Sequence, residues 1–118
     1  MSSLVDELLG PLHMHFAAAR AAYGDYLEQD RSFLFASSLK RINLGIRALL
    51  LGKGYLLPEQ HQADAIALVS HYDAWLTYWD DLADRTRPRP DDPFVFENRF
   101  TYPKEAEQRL ESLYRELR

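Results

Sequence analysis

The segment from residue 30 to residue 54 constrains the fold most, because its apolar residues recur at helical spacing on two faces. One face collects Phe35, Leu39, Ile42, Ile46, Leu49 and Leu50. Leu44 and Leu51 fall on the opposite face, and Lys40 and Arg47 flank them. A helix with apolar residues on two sides needs a packing partner on each. The pattern therefore predicts either the central helix of a bundle or a helix that forms a dimer.

Apolar periodicity predicts four helices, at residues 3–29, 30–53, 58–85 and from 103 onward. Proline is tolerated in the first turn of a helix, so we expect Pro11 to begin the principal part of the first helix after a short leading turn; a kink in one longer helix is the alternative. Asp30 is the predicted N-cap of the second helix. Four apolar stripes of one period must bury one another, which predicts a single all-α domain over residues 1–118, a four-helix up-and-down bundle.

A long connection, residues 86–102, precedes the last helix. It contains three prolines and no glycine, so we expect it to be stiff and ordered on the surface of the bundle. Aromatic residues recur at alternate positions, 94, 96, 100 and 102, and they either fasten the loop to the bundle or frame a binding surface. In the second case Glu97, Asn98 and Arg99 are the candidate contact residues.

Composition limits the classes of function. The formal net charge of −4 provides no global positive field, so nucleic acid is not the expected partner. The absence of cysteine excludes disulfides, thiolate metal sites and thiol nucleophiles. No apolar run approaches the length of a membrane span, and the first twelve residues lack the pattern of a signal peptide. We therefore expect a cytoplasmic protein that does not enter membranes.

The polar side of the second helix carries the other candidate contact residues. Lys40, Arg41 and Arg47 lie there and are suited to hold a phosphate or an acidic partner, although scattered helix charges explain the same pattern. The leucines at 44 and 51 favour an interface on this helix, and we expect a homodimer through them.

Metal binding is the least favoured reading. His13 and His15 are two residues apart on a helix and point about 200° apart, so they cannot chelate one ion together. Asp73, Asp80 and Asp84 form a carboxylate stripe on the third helix, but the Glu-x-x-His motifs of di-metal bundles are missing. We interpret the stripe as a solvated face or a surface that meets a basic partner, and we expect no metal and no cofactor.

Several segments together resemble the HEPN family, the higher eukaryotes and prokaryotes nucleotide-binding family of small helical bundles. They are the polar hinge at 28–31, the second helix at 33–54, the entry to the third helix at 57–61, and the approach to the last helix at 98–107. The resemblance covers residues from 17 to the end. Family members that cleave RNA carry an Arg four to six residues before a His, but Arg47 here precedes His61 by fourteen residues and no His follows His71. The resemblance thus implies a member without ribonuclease activity, and other members are partners of small nucleotidyltransferases.

These patterns predict a non-catalytic binding or interaction protein with no catalytic residues, whose partner is a nucleotidyltransferase-type protein or a nucleotide. An enzyme of nucleic acids or nucleotides, with a site around Arg99, Arg47 and His61, is one alternative. A metal-binding helical bundle is the other. The first alternative requires the three side chains to meet in one pocket.

Overall fold

The computed structural model describes residues 3–95 and 100–118. Its four helices are α1 (Gly10–Glu28), α2 (Phe33–Lys53), α3 (Glu59–Thr86) and α4 (Lys104–Leu117). A π-helical segment, Val5–Leu9, runs directly into α1, and a 3₁₀ turn, Gly54–Leu56, follows α2. The all-α helical bundle predicted from periodicity is confirmed.

Successive helices are antiparallel neighbours, and side-chain pairs fix their register. Each helix packs on the next, and α4 returns to contact α1 and the π-helical segment. The core comprises fully buried side chains from every helix, among them Leu12 and Phe16 from α1, Ile46 from α2, Leu68 from α3 and Leu110 from α4.

The start of the first helix agrees with the preferred expectation. The leading segment Val5–Leu9 is π-helical, and α1 begins at Gly10 with Pro11 in its first turn, while the backbone stays helical across the junction. The amide of Gly10 donates to the carbonyl of Val5, a wider turn than the α-helical one. Such a turn gives room for the proline ring, which would otherwise clash with the carbonyl four residues earlier.

The predicted N-cap of α2, Asp30, is wrong. Asp30 and Arg31 adopt positive φ angles of 58° and 54°, and α2 begins only after Ser32. The amides of Phe33 and Leu34 instead donate to backbone carbonyls of the long loop, each at 2.8 Å. The loop therefore satisfies the free amides of this helix start, which a capping side chain does elsewhere.

Residues 86–95 of the loop contact the bundle through the side chain of Phe94 and through backbone bonds to the start of α2. Phe94 is 2% exposed and packs on Trp79 and Phe33, with ring centroids 4.8 Å and 5.2 Å away. The hydroxyl of Tyr26 donates to the carbonyl of Phe94. Phe100, in contrast, is exposed, so the alternating aromatics do not share one buried side.

Candidate functional site

A cleft of about 480 Å³ opens between α1, α2, α3 and the residues at the start of α4. We call it the Asn43 cleft. Aromatic side chains supply much of its wall: Phe16, Tyr23, Tyr72, Trp75 and Tyr102. Its volume lies within the range of about 300–1,000 Å³ typical of small-molecule sites, which are also mostly apolar with a few fixed polar groups.

Asn43 is the polar group at the α2 wall of this cleft. The residue is 7% exposed, yet its carboxamide makes no hydrogen bond to any described residue. Within the described residues, the side-chain atoms that are buried without a partner are Nδ1 of His71 and Nε1 of Trp79, so the polar atoms of Asn43 are unpaired but still reached by solvent in the cleft. A carboxamide offers two donors and one acceptor at this wall.

His71 lines the same cleft from α3. Its Nδ1 atom is buried and has no hydrogen-bond partner among the described residues. Burial lowers the pKa of His71, and the backbone of Thr101 opposes this effect without cancelling it. The imidazole is therefore neutral at physiological pH.

A chain of hydrogen bonds closes one side of the cleft. Tyr102 donates to Glu107 at 2.6 Å, and the hydroxyls of Tyr72 and Tyr102 are 3.2 Å apart. Because Tyr102 has given its only proton to Glu107, Tyr72 must be the donor to Tyr102. Arg20 reaches the other oxygen of Glu107 at 3.4 Å.

Both tyrosines in this chain keep their protons across the physiological range. Burial raises the pKa of Tyr72 to about 12. Burial also raises the pKa of Tyr102, and the neighbouring Tyr72 and Glu107 raise it further. Neither hydroxyl is suited to act as a base or nucleophile near neutral pH.

The basic side chains predicted on α2 are largely occupied within the chain. Lys40 pairs with Asp80 at 2.6 Å, and Arg47 pairs with Asp73 at 2.5 Å. Two carboxylates of the α3 stripe, Asp73 and Asp80, thus pair with basic side chains, and these side chains belong to α2 of the same chain. Arg41 is exposed and donates to the hydroxyl of Ser38 at 3.2 Å.

Leu44 and Leu51 lie on the outer surface of α2, as the second apolar face predicts. Leu44 is 43% exposed and Leu51 is 57% exposed. Tyr55, in the turn that follows α2, is 70% exposed. This surface has no packing partner among the described residues of the bundle.

His61 and Arg47, two residues of the alternative enzyme site, have different partners. Arg47 binds Asp73, whereas His61 contacts Asp64 at 3.3 Å. Asp64 is 5% exposed and accepts two bonds from Arg109, at 2.7 Å and 2.9 Å. The third member of that site, Arg99, lies outside the described residues, as do Glu97 and Asn98.

The histidines of α1 point apart, as their spacing predicts. His13 contacts Glu111 of α4 at 2.9 Å, and His15 bonds the carbonyl of Pro11 at 2.8 Å. A β-carbon at Gly45 would lie 2.9 Å from the His15 ring, so α1 and α2 approach closely here. Across residues 3–95 and 100–118, no group of three or more potential ligands could hold a metal ion.

Sequence reasoning missed the Asn43 cleft, and only one signal pointed to it. Asn43 is a polar residue between Leu39 and Ile46 on the buried side of α2, where periodicity calls for an apolar side chain. The cleft's other polar groups, Arg20, His71 and Glu107, come from three separate helices, and no spacing in the sequence links them.

Within the described ranges, none of the helices combines the length and apolarity that crossing a membrane requires. Comparisons of the chain with protein-family models, curated proteins and solved structures return no match.

Proposed function

We propose that this chain is a non-catalytic binding protein and that the Asn43 cleft holds its ligand, a small uncharged molecule with an aromatic ring. The unpaired carboxamide of Asn43 carries the proposal. Solvent in the cleft reaches this amide in the free protein, and a bound ligand that displaces the solvent must offer hydrogen bonds in its place, because the amide would otherwise be buried unpaired. The aromatic walls favour a planar ligand, because ring faces stack well on one another.

The chemistry of the cleft supports binding rather than catalysis. Glu107 is engaged by both Tyr102 and Arg20, and the tyrosine hydroxyls are protonated donors. A catalytic site needs a nucleophile or a base near its working pKa, in reach of the reacting atom. The groups of this cleft are better suited to orient a ligand than to transfer its protons.

The resemblance to HEPN proteins agrees with a binding role. It offers a nucleotide, a charged ligand, as the alternative to the uncharged molecule proposed above, or adds a nucleotidyltransferase-type protein as partner, in the cytoplasm. A nucleotide would place its base among the aromatic walls. Arg20, whose side chain is 57% exposed, would then be the cation nearest to a phosphate.

N-methyl-2-quinolone, an uncharged planar probe, tests the proposal by ¹H–¹⁵N NMR. The chain has two tryptophans, so its indole region contains two cross-peaks. Both tryptophans contact the cluster around Phe94, but Trp75 lines the cleft and Trp79 does not. We expect saturable shifts of the Trp75 peak that exceed those of Trp79.

Ala19→Phe, which fills the cleft from α1, should abolish this titration. Ala18→Phe, on the exposed side of the same helix, is the matched control and should leave it intact. Both variants are checked for wild-type helicity by circular dichroism. The proposal is wrong if wild type shows no saturable shift at millimolar probe, or if both variants bind like wild type.

A second proposal concerns the outer face of α2: two copies of the chain associate through Leu44 and Leu51. The segment Phe33–Lys53 contains no Asp or Glu, and Lys40, Arg47 and Lys53 are paired within the chain. Arg41 is exposed three residues before Leu44 and adds one positive charge at the edge of this face, so the dimer we propose places the leucines of the two copies at its centre and Arg41 at its rim.

Light scattering coupled to size exclusion tests the dimer. We expect a wild-type mass of twice 13.7 kDa, and a folded monomer for Leu44→Glu with Leu51→Glu. Ile66→Glu, at an exposed residue of α3, is the control and should leave the mass unchanged. A wild-type monomer, or a double variant that remains dimeric, would exclude this interface.

A further inference from the structure

We propose that Asn43 selects ligands of the Asn43 cleft by pairing with an N–H group and an adjacent carbonyl on one edge of a heteroaromatic ring, as in a lactam. This inference rests on the function proposed above and names the chemical class of the ligand. Asn43 is the observation that motivates the function, but the function itself is only that a planar uncharged molecule binds in the cleft. The inference made here concerns which edge of the ring Asn43 recognises.

The carboxamide of Asn43 sets the pattern of the edge. Its oxygen accepts one hydrogen bond beside an NH₂ group that donates. The complement is a donor next to an acceptor, so a ring lactam pairs with it through two hydrogen bonds at once. Such paired bonds discriminate strongly against analogues that lack one partner, because a buried polar group is then left unpaired.

The position of Asn43 makes this pairing specific. The residue is 7% exposed and lies between Leu39 and Ile46 on the inner side of α2. Leu39 lines the cleft and Ile46 is fully buried, so the amide stands in largely apolar surroundings. A bound ring that displaces solvent from the cleft encloses the amide in these surroundings, where a hydrogen bond to a correctly placed ligand group is stronger than in water.

The charges around the cleft select an uncharged ring. Arg20 and Glu107 neutralise each other across 3.4 Å. His71 is neutral because burial lowers its pKa, and its buried Nδ1 leaves a second polar atom near the bound ring. An ionised ring would meet no compensating charge here and would lose its hydration.

The test compares 2-quinolone with N-methyl-2-quinolone, which has the same ring system and carbonyl but no N–H. Dissociation constants come from the Trp75 indole shift. We expect wild type to bind 2-quinolone about tenfold more tightly than N-methyl-2-quinolone, because one good buried hydrogen bond contributes about this much to affinity. Asn43→Leu, similar in size, should lose this preference and bind the two probes with similar affinity. Asn43→Ala serves as a second variant should the leucine repack the cleft.

The outcomes separate this inference from the function on which it rests. Equal affinities of wild type for the two probes, both bound in the cleft, would overturn the role of Asn43 and leave the ligand site standing. A preference that persists in Asn43→Leu and Asn43→Ala would also overturn it, since another group would then recognise the N–H. Failure of both probes to bind would overturn the proposed function as well.

Discussion

Replacing Asn43 by leucine should stabilise the free protein, because Asn43 is a polar residue that lies in the bundle and borders its core. Wild type buries a carboxamide that has no partner among the described residues. The desolvation of such a group costs about 1–3 kcal/mol, and leucine of similar size has no polar atom to desolvate. Because the cleft leaves the side chain 7% exposed, part of that cost is relieved by solvent. Since the amide atoms are not among those buried without a partner, we expect a gain at the lower end, about 1 kcal/mol in the free energy of unfolding.

Urea denaturation followed by circular dichroism measures this gain. The midpoint should rise while the slope of free energy against urea stays unchanged, because the exposed area on unfolding is nearly the same. For a domain of this size the same gain raises the melting temperature by about 4 °C. Asn43→Ala, the control, removes the amide but adds empty space, so its gain should be smaller.

A loss of stability of about 1 kcal/mol or more in Asn43→Leu would refute the reasoning. It would mean that the carboxamide is hydrogen-bonded in the free protein and is not available for a ligand. We expect Asn43→Leu to show two opposite effects relative to wild type: it is more stable when free, and it binds 2-quinolone less tightly. Residues selected for binding rather than stability often show this trade-off.

Other predictions concern stability. Burial raises the pKa of Asp64, but the hydrogen bonds from Arg109 and His61 lower it by more, so the net shift is downward. The ionised Asp64 with these partners therefore stabilises the fold fully above the ordinary pKa of 3.8, and this contribution is lost as pH falls below that value. Asp64→Asn should cost about 1.5–3 kcal/mol near neutral pH, and the difference from wild type in urea denaturation should shrink towards pH 3; a constant difference contradicts the linkage. Gly24→Ala, where a β-carbon meets no atom within 4 Å, should add about 1 kcal/mol, whereas Gly45→Ala should not show this gain because its β-carbon meets a ring at 2.9 Å. Tyr26→Phe loses the hydrogen bond to the loop carbonyl and should cost about 1 kcal/mol; an unchanged urea midpoint would show that the loop does not depend on it.

The bundle was predictable from sequence because apolar periodicity is a strong local signal. The predicted starts of two helices were also within one residue of the observed ones, because local chemistry decides them. Pro58 and Pro103 each directly precede the helix that they were expected to start. Asp30 failed as a cap because the amides of α2 are satisfied by loop carbonyls some sixty residues later in the chain. No local pattern indicates such a partner.

The charge pairing between α2 and α3 had a signal that sequence reasoning did not use. Lys40 and Arg47 are seven residues apart, and so are Asp73 and Asp80. On antiparallel helices equal spacings bring both pairs into register, as the structure shows. The bond between Asp64 and Arg109 had no comparable signal, because a single pair does not fix the register of two helices.

The Asn43 cleft could not be derived from sequence for the same reason. Its residues come from α1, α2, α3 and the start of α4, and only packing brings them together. Buried asparagine on an apolar face is the one local irregularity, and many such residues are hydrogen-bonded inside the fold. Recognising Asn43 as unpaired requires the positions of its neighbours.

An intermolecular nuclear Overhauser experiment on wild type with bound 2-quinolone locates the probe on the protein directly. We expect contacts from the ring protons of the probe to the methyl groups of Ala19 and Leu39 and to the ring of Tyr102, which line the Asn43 cleft from three directions. Contacts confined to an outer groove, such as the one bordered by Leu113 and Arg109, would contradict this expectation, and so would a bound probe with no contact to the cleft.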